Sequence, residues 1–121
     1  MTEKDAVITA AKAMNDKRGT DIVALDVSEM TSIADYMLIC SARNSILVRA
    51  IADEVEEKLS ELHSLSHTRT DGYRDGRWIV LDYGSFLVHI FHEQEREFYR
   101  LERLWETAEN RIPLDLEKNE Q

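Results

Sequence analysis

The chain has 121 residues, 15 lysines and arginines against 24 aspartates and glutamates, a formal net charge of −9 and 43% apolar residues. That suffices for one core buried without metals or disulfides, and makes a second independent domain unexpected. The single cysteine, Cys40, excludes an internal disulfide framework, and the acidic balance argues against tight non-specific binding to nucleic acid or anionic lipid, which requires clustered lysine and arginine. A basic partner fits better. No stretch approaches the roughly 18 to 20 consecutive apolar residues that cross a bilayer, and Met1 to Asp5 lack the charged and apolar regions of a secretory signal, so the expected compartment is the cytoplasm.

In chain order, Val7, Ala10, Ala11 and Met14 fall at helical spacing between about Thr2 and Arg18, with Gly19 expected to end this first helix. Asp21 to Asp26 and Tyr36 to Cys40 enclose apolar runs of strand length, separated by a polar turn over Ser28 to Asp35. Leu47, Ile51, Val55, Leu59 and Leu62 then mark one face of a long helix whose other face, with Asp53, Glu54, Glu56 and Glu57, is acidic. His63 to Thr70 is poorly patterned and fits an edge strand. Asp71-Gly72 and Asp75-Gly76 signal turns.

Trp78 to Asp82 and Phe86 to Phe91 read as the strands of a hairpin turning at Tyr83-Gly84. A two-residue turn there pairs Asp82 with Ser85 and puts Ile79, Leu81, Phe86, Val88 and Ile90 on one wholly apolar side. The other side carries Trp78, Val80, Asp82, Ser85, Leu87, His89 and Phe91, too apolar for bulk water and too polar for a dry core. Such a face is either covered by a helix or reserved for a partner, because tryptophan-centred patches with a few polar groups are common at interface hot spots. A last helix is expected from about Glu93 to Asn110, burying Phe98, Leu101, Leu104, Trp105 and Ala108. On this reading residues 1–110 form the single domain, and residues 111–121 are a polar C-terminal tail.

The candidates for chemistry are thin. Cys40 ends an apolar strand, where cysteine is an inert small hydrophobe more often than a nucleophile. His63 and His67 are four apart, but the second lies beyond the expected helix end, and His89 and His92 fall on opposite faces of a strand, so no metal or cofactor site is expected. Neither phosphate-binding glycine fingerprint is present, and Asp82 has no companion carboxylate where a magnesium-dependent nucleotidyltransferase needs one. Arg69, Arg74 and Arg77 are interleaved with Asp71 and Asp75, which leaves room for a peripheral RNA contact only.

Three stretches carry a likeness that no single motif does. They are Ile33-Ala34-Asp35-Tyr36-Met37-Leu38-Ile39-Cys40-Ser41, then Ala50-Ile51-Ala52-Asp53-Glu54-Val55, and above all the hairpin with the helix after it. That last stretch reads Trp78-Ile79-Val80-Leu81-Asp82-Tyr83-Gly84, Val88-His89-Ile90-Phe91 and Arg96-Glu97-Phe98-Tyr99-Arg100-Leu101-Glu102-Arg103-Leu104-Trp105. Together, over about residues 5 to 106, they resemble the ribosomal silencing factor family, also called Iojap-related proteins.

The resemblance implies an α/β fold with a mixed β-sheet of about five strands flanked by helices, nucleotidyltransferase-like in shape without the catalytic carboxylates. It implies a protein that binds the large ribosomal subunit through large-subunit ribosomal protein fourteen and sterically blocks joining of the small subunit. Translation is thereby repressed under nutrient limitation. It also implies a homodimer off the ribosome. On this reading Trp78, Val80, Leu87 and His89 supply the docking face, Asp82 a charge pair, and Tyr83 and Ser85 contacts at the hairpin tip.

The chain departs from the family pattern at Ala42, where relatives usually have glycine, at Leu47, where they have glutamine or histidine, and at Ser85, where aspartate is common. Ala42 disfavours the positive φ that glycine permits, and Ser85 removes one acidic contact. Two other classes stay open at the level of sequence. One is a small nucleotide- or metal-dependent enzyme on the same fold, in which Asp82 would be essential, and the other is a generic dimeric adaptor.

Overall fold

The computed structural model describes residues 2–116. Its chain order is α1 (Glu3–Asp16), β1 (Thr20–Asp26), β2 (Tyr36–Ala42), α2 (Ser45–His63), β3 (Arg69–Asp71), β4 (Trp78–Asp82), β5 (Phe86–His92), α3 (Glu93–Tyr99) and α4 (Glu102–Trp105). The strands form one five-stranded sheet in the order β1-β2-β5-β4-β3. Only β2 and β5 run parallel, so the sheet is mixed, as expected.

Local chemistry fixes the first two helices. Thr2 and Asp5 form a reciprocal capping box at α1, each side chain accepting the other's backbone N–H, and Asn44 Oδ1 caps α2 from the Leu47 N–H at 2.8 Å. Both helices bury one apolar face on the same side of the sheet. Val7, Ala10, Ala11 and Met14 of α1 meet Val48, Ile51, Ala52, Val55 and Leu59 of α2 over Leu38, Cys40, Leu81, Val88 and Ile90. Small alanines on both helices let them approach the sheet closely. Leu62, expected in this seam, is exposed beside the helix end, where Ser64 turns left-handed. The left-handed residue after α1 is Arg18, and Gly19 follows it.

Ala42 takes no positive φ; it lies within β2, buried opposite His92, so the substitution costs no backbone strain. Leu47 packs half-buried in the first turn of α2. The hairpin register differs from expectation by two residues. Asp82 pairs with Leu87, Leu81 with Val88 and Ile79 with Ile90, and the turn centres on Gly84-Ser85, closed by the Tyr83 N–H donating to the Phe86 carbonyl. A slip of two preserves which face each strand side chain takes, so the two-sided reading stands for β4 and β5, while Ser85, expected beside Asp82, falls in the turn.

The C-terminal region departs most. The expected single helix breaks at Arg100, which adopts φ 46° and ψ 51° between α3 and α4. The cause is Arg96, 8% exposed, whose guanidinium donates to both Glu102 carboxylate oxygens at 3.1 Å, to Ser41 Oγ at 2.8 Å and to the Asp21 carbonyl at 2.9 Å. Residues six apart lie on different faces of an unbroken helix, so this pairing requires the break. Phe98 and Leu104, expected in the core, are 78% and 70% exposed, and Ala108 is exposed as well.

Beyond α4 the chain folds back along β1. Asn110 donates from Nδ2 to the carbonyls of Trp105 and Asp26, Arg111 bridges Leu25, and the Ile112 N–H reaches the Ala24 carbonyl at 2.8 Å. Ile112 is 7% exposed, and Leu114 and Leu116 pack on the core. The first part of the expected polar tail is thus packed structure covering the β1 edge; residues 117–121 of that tail lie outside the described residues.

Candidate functional site

The two faces of the sheet are finished differently. Opposite α1 and α2, the strands present Val23 and Leu25 from β1, Met37 and Ile39 from β2, Leu87, His89 and Phe91 from β5, and Trp78, Val80 and Asp82 from β4. Leu101 and Trp105 pack over this second cluster, and Val23, Leu25, Met37, Ile39 and Phe91 are buried. Toward β4 and β3 the cover runs out. Trp78, Val80, Asp82 and Leu87 stay half-buried, and the outermost residues of the face, Arg69 and Asp71, are exposed and paired to each other at 3.3 Å.

Trp78 is held rigidly at this margin. Its ring stacks on Phe91 at 4.7 Å between centroids, Tyr99 packs on it at 4.9 Å, and its Nε1–H donates to His89 Nδ1 at 3.1 Å. The backbone behind it is fixed by Gly72, where any Cβ would collide with the Trp78 carbonyl oxygen. Because His89 Nδ1 accepts, the neutral ring carries its proton on Nε2, which is buried without a partner among the described residues. Burial pushes the His89 pKa down from 6.5 to about 4, so at neutral pH the tryptophan's partner is an uncharged acceptor.

The remaining expected contacts divide. Asp82 shares the Trp78 face, but its Oδ1 accepts the Gly84 N–H at 2.8 Å and so also sets the turn, in which Gly84 takes φ 84°. Tyr83 belongs to the other face. Its ring stacks on Phe86 at 5.0 Å and stands edge-on to His67, and its hydroxyl is buried, which raises the phenol above its ordinary range. Odd and even positions of a strand point to opposite sides, and Tyr83 follows Asp82 before the chain leaves the ladder. Ser85 is used through its backbone, its carbonyl accepting the Asp35 and Tyr36 N–H groups and anchoring the start of β2. The structure therefore brings Trp78, Val80, Asp82, Leu87 and His89 together and leaves Tyr83 and Ser85 off the face.

The reactive side chains are otherwise occupied. Cys40 is fully buried and its thiol is pushed up to about 12, the condition of an inert packing residue. His63 bonds Thr9 Oγ1, His67 pairs with Glu56, and His92 accepts the Gln94 N–H to cap α3. Beside Asp82, at the same level of the sheet, stand Leu87 and Arg69, where a two-carboxylate magnesium site needs a second acid. Among the described residues no helix is long and apolar enough to cross a membrane. Arg96, 8% exposed, is a charge that sequence reasoning misses, because the periodicity of Phe98, Leu101, Leu104 and Trp105 puts it on the solvent side of an unbroken helix.

The chain is thus an α/β domain with one sheet face closed by helices and the other half open around a fixed tryptophan. Comparison with known proteins gives the family: residues 1–121 match the model of the ribosomal silencing factor during starvation, and the chain belongs to that family. A Bacillus subtilis ribosomal silencing factor RsfS is 39% identical over 108 residues, covering 89% of this chain and 91% of that protein. The crystal structure of a Chromobacterium violaceum protein superposes with a TM-score of 0.83 at 27% identity, covering 95% of this chain and 97% of that one. A Bacillus halodurans crystal structure gives a TM-score of 0.78 at 32% identity over 93% of this chain and all of that one.

Proposed function

We propose that this protein is a cytoplasmic, non-enzymatic silencer of translation that docks on the large ribosomal subunit through large-subunit ribosomal protein fourteen and blocks the small subunit sterically. The observation that carries the reading is the half-open sheet face with Trp78 clamped at its margin by Phe91, Tyr99 and His89. Aromatic anchors that are rigid before binding lose little side-chain entropy on docking, which is why they dominate interface energetics. Val80 and Leu87 supply the desolvated surroundings and Asp82 a carboxylate beside them, the other carboxylate of the face, Asp71, being paired with Arg69 at its outer rim. The net charge of −9 steers the protein toward a basic ribosomal surface.

Steric blocking needs no catalytic group, only an interface of ordinary size, about 1,200 to 2,000 Å². Off the ribosome the same apolar face is covered in a homodimer, and the Arg69 to Arg77 loop lies where a peripheral RNA contact is made. The test is sucrose-gradient sedimentation with separated subunits, followed by a subunit-joining assay. The expected result is cosedimentation with the large subunit alone and dose-dependent loss of joined ribosomes. Failure to sediment with large subunits, or sedimentation without any effect on joining, would overturn the reading.

A further inference from the structure

The rings around Trp78 do not stop at the sheet. Phe91, Trp78, Tyr99 and Phe98 make consecutive contacts, with centroid separations of 4.7, 4.9 and 4.9 Å, from a fully buried residue to one that is 78% exposed. Tyr99 is 48% exposed, and Phe98 stands perpendicular to it at 88°. A phenylalanine this exposed contributes almost nothing to the fold, and exposed aromatics contiguous with a half-buried tryptophan form a patch of the kind that marks a protein contact. The left-handed turn at Arg100 and the buried Arg96 guanidinium, bonded to Glu102, Ser41 and the Asp21 carbonyl, fix α3 against the sheet, so Phe98 projects from a braced support.

We infer that α3 is a second arm of the docking surface, in which Phe98 inserts into an apolar pocket on the same basic protein that receives the Trp78 face. The inference rests on the proposed ribosomal role and deepens it, by extending the contact from strands β4 and β5 onto a helix. Two features select that occupant. The patch is continuous with the sheet face through the Trp78–Tyr99 ring contact, so a partner seated on Trp78 meets Tyr99 and Phe98 as well. On α3 the exposed carboxylates Glu93 and Glu97 precede the aromatic pair, Glu97 paired with Arg100 at 3.1 Å, so Glu93 is the carboxylate of that helix left to favour a basic partner.

The experiment measures the affinity of the full chain for purified large subunits by pelleting, with Phe98→Ala, Phe98→Glu and Trp78→Ala beside the unaltered protein. Both Phe98 variants are expected to melt within about 3 degrees of the unaltered protein, since surface substitutions away from packed features change little. Their affinity is expected to fall about tenfold or more, the Glu variant further than the Ala. If both Phe98 variants bind as the unaltered protein does while Trp78→Ala does not, the sheet face docks and the α3 arm is overturned. If Phe98→Ala changes only the dimer content measured by light scattering, a second copy is the occupant and the inference is likewise overturned. If the unaltered protein does not bind large subunits at all, the ribosomal reading itself fails, and the arm with it.

Discussion

The two faces of the sheet are made from the same five strands and finished to different standards. Under α1 and α2 the residues that meet are apolar, Cys40 among them, His63 bonds Thr9 at the rim, and the Tyr83 hydroxyl is a polar group buried there. On the opposite face the helical cover comes from two short pieces, α3 and α4, held by one buried guanidinium, and it reaches only as far as Trp78. The first face is a core. The second is half core and half surface, with polar groups inside it that a purely structural layer would not retain. Stability is expected to reside in the first and recognition in the second.

Substitutions should separate these roles, and the largest effect belongs to the fastening between them. Arg96→Ala removes a buried guanidinium and takes the donor from three partners, the part-exposed Glu102 carboxylate, Ser41 Oγ and the Asp21 carbonyl, at a combined cost of about 3 to 5 kcal/mol. Chemical denaturation checks this, and Arg96→Lys is expected to recover only part of the loss because an ammonium cannot reach three separate acceptors in one plane. On the covered face, Leu59→Ala is expected to cost about 2 to 5 kcal/mol with no change in binding per folded molecule. A binding defect in Leu59→Ala beyond its unfolded fraction would break the division of labour.

Next in size is pH. His89 is held neutral with its pKa pushed down to about 4, whereas the unfolded chain protonates it near 6.5. Between those values the unfolded state binds more protons, so this group's contribution to stability is complete above pH 6.5 and is lost as the pH falls toward 4. The loss is on the order of 3 kcal/mol, and denaturation series across that range should show a shallower slope in His89→Gln. The smallest effect is at the turn. Asp82→Ala frees the Gly84 N–H to water at an exposed position and is expected to cost about 1 kcal/mol or less, while a larger effect on binding would assign the carboxylate to the partner as well.

Much of this was legible in the residues. The apolar runs of β1, β2, β4 and β5 and the capped, periodic patterns of α1 and α2 mark elements whose local preferences agree with their packing. The hairpin faces survived an error in the turn because strand parity repeats every two residues. What could not be read was tertiary. Nothing local tells that Arg96 will pair with Glu102 rather than continue a helix, or that Asn110 will reach back to Asp26, and the C-terminal third depends on both. Tyr83 reads as a hairpin-tip contact by position, yet its ring is taken by Phe86 on the covered side. Conversely, Phe98 reads as core by composition, and only the break at Arg100 shows it to be surface.

The central claim is that the half-open face around Trp78 docks on the large ribosomal subunit. Its most direct test is the equilibrium affinity of purified large subunits for Trp78→Ala, a variant whose far-ultraviolet circular dichroism is first shown to match the unaltered protein. The account predicts a loss of tenfold or more, of the order seen for a buried aromatic anchor. Affinity equal to that of the unaltered protein would contradict it.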